Sequence, residues 1–146
     1  MENKTVMSIE TVIDYIEANL DGKLDLEMVA EAVHYSKYHL HRMFTSTVGM
    51  TIHDYVQRRQ LTEAAKLLVF SDRPIIEVAF ICGYESQQAF SSAFKSMYKI
   101  PPAEYRDNRE FYPLQLRFAL HRNAANKVFA KDDLSLIHIS EPTRPY

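Results

Sequence analysis

The apolar positions of this chain recur at helical intervals through most of its first hundred residues. Ile9, Val12, Ile13, Ile16 and Leu20 stand three or four apart. They form one stripe and predict a helix from Ser8 to Leu20, ended by Asp21-Gly22. Asp25 is a good N-cap for a second helix reaching Val33. Ser36 opens a third that ends near Gly49. Thr51 with Asp54 resembles a capping box and starts a long fourth helix to about Phe70, with Tyr55, Leu61, Ala64, Ala65 and Leu68 facing a core. After the break at Ser71-Asp72-Arg73, Pro74 suits the first turn of a fifth helix, which stops at Gly83. The sixth runs from Ser86 to about Tyr98, and Pro101-Pro102 begin a seventh through Arg106.

This pattern repeats once. Val29-Ala30, Val33 and Tyr35 correspond to Val78-Ala79, Cys82 and Tyr84 at an offset of 49. Ser36, Leu40, Phe44 and Tyr55 correspond to Ser86, Phe90, Phe94 and Tyr105 at an offset of 50. One residue has therefore been added in a turn. A duplicated unit of this size is one supersecondary module used twice. Each copy reads as a short helix, a tight turn and a longer helix opened by serine, the plan of a helix-turn-helix. The predicted fold is all-α: seven helices, two helix-turn-helix subdomains joined by the long central helix, and a short irregular or strand-like C-terminal tail.

Composition narrows the class. A chain of 146 residues that is 47% hydrophobic can bury a core, and three glycines favour helix. No apolar run is long enough to span a membrane, and the start Met1-Glu2-Asn3-Lys4 does not open a signal peptide. A single cysteine, Cys82, fits a reducing cytoplasm. Net charge is −2, and residues 1–107 hold 11 basic against 15 acidic side chains. That balance argues against a nucleic-acid binder, but its distribution does not. No acid lies between Glu31 and Asp54, or between Glu85 and Glu104. Each window contains the longer helix of one repeat, so a polyanion could approach one face without meeting a carboxylate.

On a helical wheel, Leu40, Met43 and Phe44 fall together, and Tyr38, His41, Arg42 and Thr45 fall opposite. In the sixth helix Phe90, Ala93, Phe94 and Met97 face inward, and Gln88, Ser91, Ser92 and Lys95 face out. The outward sets match at the offset of 50 and contain only hydrogen-bonding or cationic groups. Arg bonds guanine bidentately, Gln does likewise to adenine, and Ser or Thr serves phosphate or base. An exposed polar helix face is ordinarily a solvated face. Two matched faces in matched helix-turn-helix settings favour a reader of two adjacent stretches of duplex.

The runs Ser36-Lys37-Tyr38-His39-Leu40-His41-Arg42-Met43-Phe44, Gly83-Tyr84-Glu85-Ser86-Gln87-Gln88-Ala89-Phe90 with Phe94-Lys95, and Pro101-Pro102-Ala103-Glu104-Tyr105-Arg106 resemble the DNA-binding domain of the AraC/XylS family of bacterial transcription regulators, in particular its MarA, SoxS and Rob group. The resemblance covers about Ile9 to Arg106. It implies two recognition helices in successive major grooves, held ~34 Å apart, one turn of duplex. It implies Tyr38, His41 and Arg42 as base-facing residues of the third helix, with Lys37 and Thr45 beside them. For the sixth helix it implies Gln87, Gln88, Ser91 and Ser92, with Lys95 and Arg106 on phosphate. RNA polymerase is implied as a partner of an activator. Departures are informative: Tyr38 stands where the similar activators often have tryptophan, His41 where they have glutamine, and Ser92 where arginine is expected. Tyr98-Lys99-Ile100 lacks the glycine many members carry before the proline pair.

Other readings are weaker. His39 and His41 are two apart and point to different sides of a helix, and no cysteine pair exists, so neither metal nor cofactor is expected. There is no phosphate loop and no nucleophile elbow, hence no enzyme. The serious rival is a helical protein-interaction module without DNA binding, which the acidic total favours.

The tail differs from the rest. Leu114, Leu116, Phe118 and Leu120 alternate, which reads as a strand. Residues 109–133 are expected to be a linker and the start of a truncated effector-binding domain, similar to the small-molecule-binding domain of Rob-like proteins. Residues 134–146, with Leu134 to Arg144 resembling a translated sequencing adapter, are set apart as a non-native tail.

Overall fold

Four side-chain caps fix where helices begin. Asp25, Ser36, Thr51 and Ser86 each accept from the amide three residues on, that of Met28 at 2.9 Å, His39 at 3.1 Å, Asp54 at 3.0 Å and Ala89 at 3.1 Å. The computed structural model describes residues 2–119, and side chains from residue 8. Among these lie seven helices: α1 (Glu2–Ala18), α2 (Leu26–Val33), α3 (Lys37–Val48), α4 (Ile52–Phe70), α5 (Ile75–Ile81), α6 (Gln87–Tyr98) and α7 (Pro102–Asn108). Helix α1 starts well before Ser8 and ends two residues before Leu20. The Asn19 amide bonds the Ile16 carbonyl at 3.0 Å and its side chain the Tyr15 carbonyl at 2.8 Å, so Asp21-Gly22 belongs to the loop beyond.

The repeat is visible in the backbone. His34 and Gly83, equivalent at the offset of 49, both take the left-handed conformation, with φ 63° and 86°. Each is followed by a tyrosine amide that reaches back to the alanine of the preceding helix, Tyr35 to Ala30 at 2.9 Å and Tyr84 to Ala79 at 3.0 Å, a Schellman-type closure. The added residue is thus Glu85, just before the Ser86 cap. Gly49 and Lys99, equivalent at the offset of 50, also share a left-handed φ, 91° and 73°.

Helix α4 belongs half to each repeat. Its first turns give Ile52, Tyr55 and Val56 to a core with Ile9, Val12, Ile13, Ile16, Val29, Leu40 and Phe44. Its last turns give Leu61, Ala64, Ala65 and Leu68 to a second core with Val78, Phe90, Phe94, Tyr98 and Tyr105. Between the cores sit two buried polar residues, Arg59 and Gln60. The Arg59 fork grips Glu17 of α1 through two bonds of 2.8 Å and also reaches Glu63 at 3.1 Å. Such bidentate, charge-assisted pairing offsets the desolvation of a buried guanidinium. Burial alone would lower its pKa; the bonds and charge of Glu17 prevail and raise it. Gln60 donates to the carbonyls of Leu20 and Gly22 at 3.0 and 2.6 Å.

The tail is not a strand. Residues 110–119 form an irregular segment running back along α4. Leu114 and Leu116 are exposed, whereas Gln115 and Phe118 are buried at 1% and 5%. Sheet partners are absent from the described residues, and side chains of α4 satisfy the backbone instead: Gln115 donates its amide to Thr62 at 3.1 Å and its carbonyl accepts from Arg59 at 2.9 Å. Leu120 and the adapter-like residues 134–146 lie outside the described residues.

Candidate nucleic-acid interface

An acid in the first turn of a helix stabilises the positive end of its dipole. Helices α2, α4, α5 and α7 follow this rule with Glu27, Asp54, Glu77 and Glu104. Helices α3 and α6 do not: neither has an acid in its first turn, and α3 begins with Lys37. No first-turn acid therefore neutralises the dipole at these two N-termini, a condition that favours holding phosphate.

Several cations elsewhere among the described residues are paired with acids, and Arg58 and Arg106 bond to uncharged oxygens. Lys23, Arg59, Lys66, Arg73 and Arg117 each have a carboxylate partner. Among the described residues no ion pair engages Lys37, Arg42 or Lys95, and all three are exposed. Arg42 instead lies 5.4 Å from the ring centroid of Tyr38, one turn earlier on α3. That cation–π contact limits where the guanidinium points without neutralising it. Tyr38 itself is 71% exposed, a large aromatic surface that, among the described residues, is left mostly open to solvent.

The structure brings most of the expected residues to the surface of the two longer helices. Lys37, Tyr38, His41 and Arg42 on α3 are exposed, as are Gln87, Gln88, Ser92 and Lys95 on α6. Ser91 is half-buried beside Phe90. Two of the expected residues are engaged or turned inward instead. The Thr45 Oγ1 is buried and has no hydrogen-bond partner. It stands next to the core residue Phe44, at the edge of the apolar arc, and its hydroxyl is turned away from solvent. Arg106 does not hold its fork out for phosphate. Its Nε donates to the Leu68 carbonyl at 2.8 Å and its Nη2 to that of Arg73 at 2.6 Å, with Ser71 at 3.4 Å. A rigid donor fork matches the unsatisfied carbonyls at the C-terminus of α4, so Arg106 ties α7 to the α4–α5 connection.

The expectations from sequence missed what holds the two readers in place. The Gly83 turn leading into α6 lies against the α1–α2 loop: a Cβ on Gly83 would fall 2.6 Å from the Gly22 oxygen and 2.9 Å from its carbon. The Gln60 bond to that same oxygen fixes the contact from the α4 side. The one available signal was the polar run Arg58-Arg59-Gln60 inside an otherwise apolar-striped helix.

Relatives of known kind share this arrangement. The helix-turn-helix domain family matches residues 29–108. The multiple antibiotic resistance protein MarA of Escherichia coli is 38% identical over 118 residues, 77% of this chain and 93% of MarA. A crystal structure of an AraC-type transcriptional regulator from Chromobacterium violaceum superposes with TM-score 0.65 at 26% identity, over 74% of this chain and 94% of that one. The DNA-binding domain of the global transcriptional factor AdpA, solved in complex with a target DNA, superposes with TM-score 0.65 at 27% identity, over 68% of this chain and 89% of that one. No helix among the described residues is long and apolar enough to cross a membrane. Two capped helix-turn-helix units and these likenesses make the chain a member of the AraC-type family of helix-turn-helix DNA-binding transcription regulators.

Proposed function

We propose that α3 and α6 each enter a major groove, on successive turns of one face of a duplex. The observation that carries this reading is the withholding of first-turn acids from these two helices alone among α2 to α7. In this reading Arg42 and His41, with Tyr38, read bases from α3, and Gln87, Gln88, Ser91 and Ser92 read from α6. Lys37 and Lys95 take phosphate. Helix α3 supplies more of the specificity, because α6 offers fewer long donors. In this reading α4 is a rigid linker that holds the two helices about one turn of duplex, ~34 Å, apart, and fitting both grooves to it would require the duplex to bend, at a cost of order 1–6 kcal/mol that favours flexible base steps.

The chain acts in the cytoplasm as an activator that contacts RNA polymerase. A small-molecule effector would act through a C-terminal domain. The rival reading, a protein-interaction module, rests on the acidic total and gives no reason for the unpaired cations on α3.

Selection of sites from a random duplex library by the full chain, repeated with Arg42→Ala, tests the proposal. A bipartite site is expected, with half-sites about one turn apart. The variant should lose ~1–3 kcal/mol, with relaxed readout in one half only, the size of one bidentate base contact. A folded chain that enriches no sequence at low salt, where phosphate contacts are strongest, would favour the interaction module.

A further inference from the structure

The segment after α7 touches both repeats, and it does so through the repeat itself. Tyr55 and Tyr105 are equivalent at the offset of 50, and both are buried. Each hydroxyl accepts from a backbone amide of the segment: Tyr105 from Tyr112 at 3.0 Å, Tyr55 from Phe118 at 2.9 Å. The first grip lies in the second core, where the Tyr112 ring packs against Tyr98 and Tyr105. The second lies in the first core, which Phe118 completes. Between them the chain descends α4 in reverse order. Arg58 donates to the Gln115 side chain at 2.9 Å and to the Leu114 carbonyl at 3.2 Å. Arg59 and Thr62 hold the Gln115 backbone. Below, Arg117 pairs with Asp14 of α1.

The segment adds Phe118 to one core and packs Tyr112 against the other, and so spans the joint where the cores part. We propose that residues 110–119 are a strap that sets the relative angle and spacing of α3 and α6, with Gln115 and Phe118 as positioning residues for DNA reading. The role rests on the two-reader proposal above. Two modules tethered at a fitting separation bind far more tightly than either alone, and the gain falls when the tether loosens. Helix α4 by itself can bend. A second connection on its flank, anchored at both ends by buried tyrosines, resists that bending.

The test uses the full chain with Gln115→Ala, Tyr55→Phe and Phe118→Ala, each checked for native helical content. Phe118→Ala empties part of a core. The other two loosen the strap while leaving that core filled, so the test does not depend on the first. The probes are duplexes carrying the site selected by the unaltered chain, the same site with its halves moved one or two base pairs apart or together, and one half-site alone. The strap variants should bind the single half-site as the unaltered chain does. At the native separation they should lose about tenfold, as a tether that no longer matches its span loses effective concentration. Their penalty for altered separation should shrink. Variants that follow the unaltered chain at every separation, or that lose the same factor on all probes, would overturn the strap's positioning role. If the unaltered chain itself ignores separation, the two-reader reading fails, and the strap's role falls with it.

Discussion

The Gly83 Cα faces the carbonyl of Gly22 so closely that no side chain fits between them. Its φ of 86° lies where a Cβ is strained in any case. His34, its counterpart in the first repeat, carries a full side chain at φ 63°. Glycine at 83 therefore answers a contact between repeats as well as the turn within one.

Gly83→Ala is expected to cost ~2 kcal/mol or more, from left-handed strain plus a backbone clash. Gln60 holds the Gly22 oxygen in place, so the α6 turn must move instead. Urea unfolding measures the cost. A loss under half a kilocalorie would show that the two turns are free to separate.

Thr45→Val should stabilise the protein by about 1 kcal/mol, since an unpartnered buried hydroxyl carries a desolvation penalty that an isosteric methyl lacks. Affinity for the selected duplex should stay within about twofold, far below the loss from one missing base contact. A marked drop in affinity would restore Thr45 to the reading surface.

Lys99→Gly should raise stability by roughly 0.5–1 kcal/mol. Lysine at φ 73° bears a left-handed penalty that glycine avoids, partly offset by glycine's greater chain entropy. Gly49 shows the unstrained solution at the equivalent position. Thermal unfolding decides the matter, and a lowered midpoint would mean that the Lys99 side chain contributes more than its backbone costs.

Alkali should destabilise the protein, and its buried tyrosines should ionise at a higher pH than free tyrosine. Desolvation pushes Tyr55 and Tyr98 from 10.0 up to about 12, and Cys82 from 9.0 up to about 12. Between these values the unfolded chain has released protons that the folded chain retains. Stability is thus full below about pH 9 and falls as pH rises toward 12. Tyrosinate absorbance followed alongside helical circular dichroism should show these tyrosines ionising with unfolding. Ionisation of all the tyrosines near pH 10 in a chain still helical would contradict their burial.

The sequence disclosed what is local. Ser36 and Ser86 announced α3 and α6 because a cap and the helix it starts lie within one turn, and the apolar stripes located both cores. Arg42 and Gln88 were legible as outward residues for the same reason. Thr45 was not, since its wheel position borders the buried arc and the choice of rotamer is made by neighbours. The partners of Arg106 were not legible because the carbonyls it satisfies lie more than thirty residues away. Leu114 to Phe118 showed strand alternation, but burial there follows Gln115 and Phe118, the residues that meet α4. Such partners are set by tertiary proximity, which a periodic pattern does not encode.

Helix α4, shared half and half between the cores, has a consequence for what evolution can change. One residue inserted near Arg59 would turn the second unit by about 100° and advance it by about 1.5 Å relative to the first. Such an error cannot be absorbed gradually, because the helix offers only whole-residue steps. If α3 and α6 are both readers, as proposed, the chain is a two-pronged gauge whose setting is a count of residues: groups on the prongs can be exchanged one at a time, whereas the length between them cannot.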